Sequence, residues 1–250
     1  MKLLLISNST NPGEPYLGWP LPFIQDFIRR YAISKILFVP YAGVNLSNLG
    51  LDTSYDVYEQ RVATVFAGLG CALESIHHFD HPVRAVEEAS CVVIGGGNTF
   101  HLVAMMHRTG IMQTIRKRVQ DGMPYMGWSA GANVACPTLR TTNDMPIIMP
   151  ESFDCLNLIP FQINPHYLDA NPAGHGGETR QQRIEEFLAI NRHIKVVGLR
   201  ESSLIELEGN RLTLKGHRPM RLFRFQTAPE EIEQGADLSW LLNDNAHSVG

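Results

Sequence analysis

The sequence predicts an α/β fold in which a mostly parallel sheet carries helices on both faces and ends in a small antiparallel C-terminal extension. Three observations predict it. Short apolar runs alternate with stretches of helical period, polar or glycine-bearing turns follow directly on several of those runs, and beyond about Leu199 the helical period gives way to two-residue alternation.

Taken in order, Leu3 to Ile6 reads as a strand, followed by Phe23, Ile24, Phe27, Ile28 and Tyr31 at helical spacing. Ile36 to Val39 reads as a second strand, followed by a helix marked by Tyr58, Val62, Val65, Phe66 and Leu69. Cys91 to Ile94 is a further strand, Phe100 to Met106 and Ile111 to Val119 are helices, and Tyr125 to Gly127 is the strand that feeds Ser129. Thr179 to Asn191 reads as a helix and Val196 to Leu199 as an apolar run. Ser203 to Leu207 and Arg211 to Leu214 alternate around Gly209-Asn210, a hairpin signal, and Arg221 to Phe225 reads as one more strand of the same sheet. Residues from about 228 to 250 read as an acidic, polar tail on a single domain spanning 1–250. In parallel sheets ligands bind beyond the carboxyl ends of the strands, where Asn8, Tyr41, Gly95 to Asn98 and Ser129 all fall.

A chain of 250 residues with 44% hydrophobic content can bury a full core. The formal net charge of -4 and the scattered basic residues argue against a nucleic-acid partner and favour a small molecule or peptide. The N-terminal apolar run is far too short for a signal sequence or a membrane span, so a cytoplasmic protein without a membrane partner is expected, as a monomer or homodimer. Cys71, Cys91, Cys136 and Cys155 are widely spaced with no C-x-x-C, which reads as buried free thiols.

The segment Gly127-Trp128-Ser129-Ala130-Gly131 is a G-x-S-x-G pattern directly after an apolar run. In a nucleophile elbow the chain leaves a strand and reverses into a helix, so the serine is exposed on a strained corner where only small neighbours fit. The pattern alone is weak, and a glycine-rich turn is the plain alternative. A serine nucleophile needs a base within hydrogen-bond reach and an acid to fix the base's tautomer. His166 follows Ile163-Asn164-Pro165, a strand end and turn, which would bring it to the carboxyl edge; an ordinary core or surface histidine is the competing reading. The amides of Ala130 and Gly97 are candidate oxyanion donors. Gly95 to Gly97 also suits a plain strand-to-helix turn, while a phosphate loop lacks its G-K-[ST] and G-x-G-x-x-G signatures. His77, His78, Asp80 and His81 have metal-friendly side chains but no helical ligand spacing, and read as a solvated loop.

Several blocks in order resemble the peptidase E family of α-aspartyl dipeptidases: residues 5–10, Gly95-Gly96-Gly97-Asn98-Thr99-Phe100, residues 127–133, Arg140-Thr141-Thr142-Asn143-Asp144-Met145-Pro146, Gln162-Ile163-Asn164-Pro165-His166 and Gly177-Glu178-Thr179-Arg180. The resemblance implies a flavodoxin-like fold related to the class I glutamine amidotransferases. It implies hydrolysis of dipeptides with an N-terminal aspartate, with Ser129 as nucleophile, His166 as general base and no metal or organic cofactor. Asp144 and Glu201 compete as the acid, with Asp144 placed first and Glu201 as alternative or fourth member. Around Glu201 the chain departs from the family pattern: Arg200 stands where a proline is expected and Ser202-Ser203 where a more glycine-rich turn is expected, which bears on the orientation of the acid. Tyr167 after His166 is an aromatic-for-aromatic change.

An aspartyl side chain calls for a fixed cation, and arginine grips a carboxylate through two parallel bonds. Arg180 is the first candidate on the resemblance, with Arg140 and Asn98 as further substrate-binding residues and Arg183, one turn on from Arg180, a weaker one. The 138–149 loop is expected to cover the site. Two other readings compete with the dipeptidase: a cyanophycinase-like hydrolase of aspartyl polymers, and a non-catalytic sensor of acidic amino acids. A cysteine-dependent glutaminase is disfavoured because serine occupies the nucleophile position.

Overall fold

In the computed structural model, which describes residues 1–171, 174 and 176–243, the strands are β1 (Lys2–Ile6), β2 (Lys35–Val39), β3 (Ala72–Ser75), β4 (Val92–Ile94), β5 (Tyr125–Trp128), β6 (Gln162–Pro165), β7 (Val196–Leu199), β8 (Ser203–Glu208), β9 (Arg211–Gly216), β10 (Met220–Arg224) and β11 (Thr227–Ile232). The helices are α1 (Leu21–Arg30), α2 (Leu51–Gly68), α3 (Pro82–Glu88), α4 (Thr99–Arg108), α5 (Ile111–Gln120), α6 (Ala130–Asn133) and α7 (Arg180–Ile190), with 3-10 turns at Ile76–His78 and Ser239–Leu242.

Seven strands form one sheet in the order β3-β2-β4-β5-β1-β8-β9, parallel from β3 to β1 and antiparallel across β1-β8-β9. The inner parallel strands β1, β2, β4 and β5 are buried on both faces, as uninterrupted apolar runs require, while β3 is a half-exposed edge. Leu3, Leu5, Val92 and Ile94 point into one core with α3, α4 and α5. Leu4, Ile6, Phe38, Val93 and Trp128 point into the other with α1 and α2. Because successive side chains alternate in direction, each strand feeds both cores. Truncating a fully buried leucine such as Leu4 to alanine would cost about 3 kcal/mol.

The α/β class is as the sequence predicts, and the β8-β9 hairpin extends the parallel sheet across Gly209-Asn210. The predicted third C-terminal strand does not join that sheet. β10 pairs antiparallel with β7, which is parallel to β6, and β11 closes the other edge, giving a separate sheet in the order β11-β10-β7-β6. Val197, Leu199, Met220 and Leu222 on one of its faces merge with the first core. Val196 and Phe223 on the other pack with Tyr167 under Ile184 and Leu188 of α7. The stretch read as a polar tail therefore begins with a strand and adds buried Leu238 and Leu241; residues 244–250 lie outside the described ones.

All four cysteines are free and buried, as expected. Burial pushes the Cys136 thiol up to about 12, so it stays protonated and unreactive at neutral pH.

Candidate active site

Two parallel strand pairs end at the same place, and each delivers reactive residues from the first positions past its end. In the large sheet Ile6 pairs with Trp128, and the next residue, Ser129, donates its N–H to the Ile6 carbonyl over 2.9 Å. Ser129 then turns sharply, with φ 53° and ψ -112°, into α6. Such a backbone costs on the order of 1–3 kcal/mol and persists only where the surroundings enforce it. Both motif glycines are needed for that enforcement. A Cβ at Gly127 would lie 2.3 Å from the Gly131 carbonyl oxygen, and one at Gly131 would lie 2.1 Å from the Ile94 carbonyl oxygen.

In the small sheet Pro165 pairs with Leu199, so His166 and Glu201 leave the carboxyl edge side by side. His166 also has a positive φ, 52°. Its Nε2 lies 2.8 Å from Ser129 Oγ, and its Nδ1 lies 3.0 Å from Glu201 Oε1. With the neutral ring's proton on Nδ1, Nε2 is free to accept from the serine hydroxyl while Nδ1–H donates to the carboxylate. The His166 and Glu201 side chains are half-exposed, so the array is open to a ligand.

The end of β1 ties the two sheets together at this point. The Ser7 hydroxyl accepts from the His166 N–H at 3.0 Å and donates to the Leu199 carbonyl at 2.7 Å. Asn8 Oδ1 accepts from the Ser202 N–H at 2.8 Å. Both side chains are buried. Arg200, the residue that departs from the family pattern, turns away from the site into a buried position. There it grips Asp169 (2.8 and 2.5 Å) and Glu231 (2.8 and 2.9 Å) and donates to the Pro219 carbonyl. An anchored residue 200 fixes the backbone from which Glu201 projects.

Of the two candidate acids Glu201 lies on His166, whereas Asp144 is engaged elsewhere. Asp144 Oδ2 accepts from the Thr99 N–H (2.7 Å), the Thr99 hydroxyl (2.6 Å) and the Thr142 hydroxyl (3.1 Å). It sits at the start of α4, where a carboxylate is favoured by the unpaired N–H groups, and it seats the 138–149 loop there. Of the two acids, the one within hydrogen-bond reach of the His166 ring is Glu201, at 3.0 Å.

Gly97 lines the same cavity as Ser129, and Ala130 is the first residue of α6 directly after it. Gly97 has φ 136° and is held so tightly that a Cβ would come within 2.1 Å of the Ala42 carbonyl oxygen. Among the described residues, neither the Gly97 nor the Ala130 N–H is spent on another backbone group.

A cavity of about 420 Å³ opens over Ser129 and His166. The cation in its wall is Arg61 of α2, over the Tyr16 ring, which the sequence reading missed because one arginine on a helix carries no signal of its own. Beside Arg61, Tyr58 donates to the Gly96 carbonyl and accepts from Trp128 Nε1. Burial pushes its phenol up, so it remains a neutral donor.

The predicted substrate-binding residues divide. Asn98 borders the Ser129 cavity, but its side chain caps α4 at the His101 N–H and donates to the Met145 carbonyl. Arg180, held at the start of α7 by the reciprocal Thr179–Gln182 cap, lines a separate, smaller cleft of about 170 Å³ with Arg140, Arg183, Asp144 and Asn164. Burial, and then Arg183, lowers the affinity of the Arg180 guanidinium for its proton; Asp144 opposes this. Arg140 is already engaged with Asn191 and Thr138 and stacks over Phe187.

Comparison with known proteins gives this geometry a family. The family model described as peptidase family S51 matches residues 3–215. The chain belongs to peptidase family S51. It is 46% identical over 244 residues to "Peptidase E" of Streptomyces coelicolor, covering 97% of this chain and 96% of that one. It is 44% identical over 241 residues to "Peptidase E" of Nostoc sp. PCC 7120, covering 96% of each. Among solved structures, a peptidase from an acI-B1 Actinobacterium has the same fold, with a TM-score of 0.69 at 16% identity, covering 95% of this chain and 96% of that one. The S51 chain is thus a serine-type peptidase acting on peptide substrates. Among its described residues no helix is long and apolar enough to cross a membrane.

Proposed function

We propose that this S51 peptidase hydrolyses dipeptides with an N-terminal aspartate, with Ser129 as nucleophile, His166 as general base and Glu201 as the acid that orients the histidine. The observation that carries the mechanism is the continuous array Ser129 Oγ, His166 Nε2, His166 Nδ1, Glu201 Oε1, with gaps of 2.8 and 3.0 Å. Nε2 takes the hydroxyl proton as Oγ attacks the carbonyl carbon of the first residue, and the Gly97 and Ala130 amides receive the developing oxyanion. The imidazolium is stabilised by Glu201 and returns its proton to the departing amine, releasing the second amino acid. Water, deprotonated by His166, then attacks the aspartyl ester and frees aspartate and Ser129.

A cavity of about 420 Å³ fits a small ligand such as a dipeptide. The carboxylate of the first residue is assigned to Arg180, in the smaller cleft, with Arg61 as the cation that lines the Ser129 cavity itself. Selectivity rests on such a pairing, because a desolvated guanidinium loses more when its carboxylate is absent than a solvated one.

Hydrolysis of Asp-Leu, Glu-Leu, Asn-Leu and acetyl-Asp-Leu by the wild type and Ser129→Ala, with chelator present, tests the reading. Aspartate release from Asp-Leu alone, lost in the folded variant, supports it. Turnover by folded Ser129→Ala would sink the mechanism, and wild-type activity confined to a branched aspartyl polymer would replace the substrate.

A further inference from the structure

His77 and His78 meet partners that the linear sequence could not display. Asp56 and Glu59 lie one turn apart on α2, facing the 3-10 turn that follows β3, and one ligand atom from each of the four side chains falls within 4.8 Å of all the others. Nε2 of His77 is 3.0 Å from Asp56 Oδ1, and Nε2 of His78 is 2.6 Å from Glu59 Oε2 and 3.8 Å from Asp56 Oδ1. Four donors bound at about 2.0–2.1 Å around one tetrahedral ion stand roughly 3.3 Å apart. The three separations bracket that value.

Three further features fit an ion. Consecutive residues in a strand point to opposite faces, but the 3-10 turn brings the two imidazoles onto one side, with centroids 3.9 Å apart. The Ser75 hydroxyl, in a buried residue, lies 2.7 Å from His77 Nδ1, leaving Nε2 directed at the cluster. Metal-bound imidazoles are fixed in this way by a partner on the second nitrogen. The His77 and Glu59 side chains are 8% and 22% exposed, against 53% and 55% for His78 and Asp56, so the cluster has a protein wall on one side and an entry on the other. Two carboxylates also balance a divalent charge.

We propose that Asp56, Glu59, His77 and His78 bind a zinc-class divalent ion that clamps α2 to the end of β3. Two nitrogen and two oxygen donors suit zinc and its late first-row neighbours, whereas magnesium and calcium prefer oxygen alone. Four protein ligands complete the shell and leave no position for substrate, so the site is structural. Its consequence for the peptidase is mechanical, since the clamped helix also carries Tyr58 and Arg61 into the Ser129 cavity.

The test is titration of the chelator-treated full-length chain with Co²⁺ followed by visible absorption. The result expected is the intense spectrum of four-coordinate Co²⁺, saturating at one ion per chain and bleached by Zn²⁺. Zn²⁺ at about a hundred times its Kd should raise Tm by roughly 5 °C. His77→Gln and His78→Gln should each weaken binding by about 100-fold and Ser75→Ala by about 10-fold, while His81→Ala leaves it unchanged. His78 is exposed enough for its replacement to leave the fold intact, which circular dichroism would verify. A weak six-coordinate spectrum, or binding undiminished in the His77→Gln/His78→Gln double variant, would overturn the proposal.

Discussion

The two strand pairs that meet at the candidate site use one device with different visibility. β1 and β5 in the large sheet, and β6 and β7 in the small one, are parallel neighbours whose next residues project from a shared carboxyl edge. The first pair delivers Ser129 through a short motif, residues 127–131, whose two glycines let the turn fit against the Gly131 and Ile94 carbonyls. The second delivers His166 and Glu201 through a register linking residues 35 apart, locked by Ser7 and Asn8 from the end of β1. The proposed nucleophile is marked by a local motif, whereas the proposed proton relay is a property of the assembled sheets.

The largest expected effect treats both halves alike. Ser129→Ala and His166→Ala should each lower kcat on Asp-Leu by roughly 10,000-fold or more, and the double variant should lose little beyond either, because residues acting as a unit are not additive. Additive losses would break the view that the two sheets build one array. Next in size, Glu201→Gln should lower kcat by about 1,000-fold with KM little changed, since the histidine loses its orienting acceptor and imidazolium partner. Asp144→Asn should instead raise KM and lower Tm by loosening the seat of the 138–149 loop, and steady-state kinetics with thermal melts on both variants separates these roles.

Smaller effects sharpen the comparison on the side of the small sheet. Arg200→Met removes the grip on Asp169 and Glu231 behind Glu201, and should cost about 2 kcal/mol in denaturant unfolding together with a fall in kcat. Hydrogen bonding to Arg200 holds the Glu231 carboxyl down to about 2. A depressed carboxyl stabilises the fold above its unfolded value of about 4.3, and that stabilisation disappears as pH falls from there through about 2. Glu231→Gln should flatten the stability profile in this window, which acid titration of the unfolding midpoint would register.

The legibility of the chain followed the range of the interactions. Strands β1, β2, β4 and β5 were readable because burial on both faces forces continuous apolar runs. The β8-β9 hairpin was readable because Gly209-Asn210 carries the turn. The segments of the small sheet were readable one by one, but their separation into a second sheet was not, because the partner of β10 is set by long-range pairing that no local pattern encodes. The same holds for side chains. The Ser129 elbow and the Gly97 turn were visible in place, while the contact of His166 with Glu201 required the folded sheet. Arg61 and the His77–Asp56 cluster required the packing of α2 against separate segments.

The most direct test of the central claim is proton NMR of the His166 ring in the wild type, Glu201→Gln and Asp144→Asn. The account predicts a far-downfield Nδ1–H resonance from the bond to Glu201, present in the wild type, retained in Asp144→Asn and lost in Glu201→Gln. Its retention in Glu201→Gln with loss in Asp144→Asn would transfer the role to Asp144 and contradict the account.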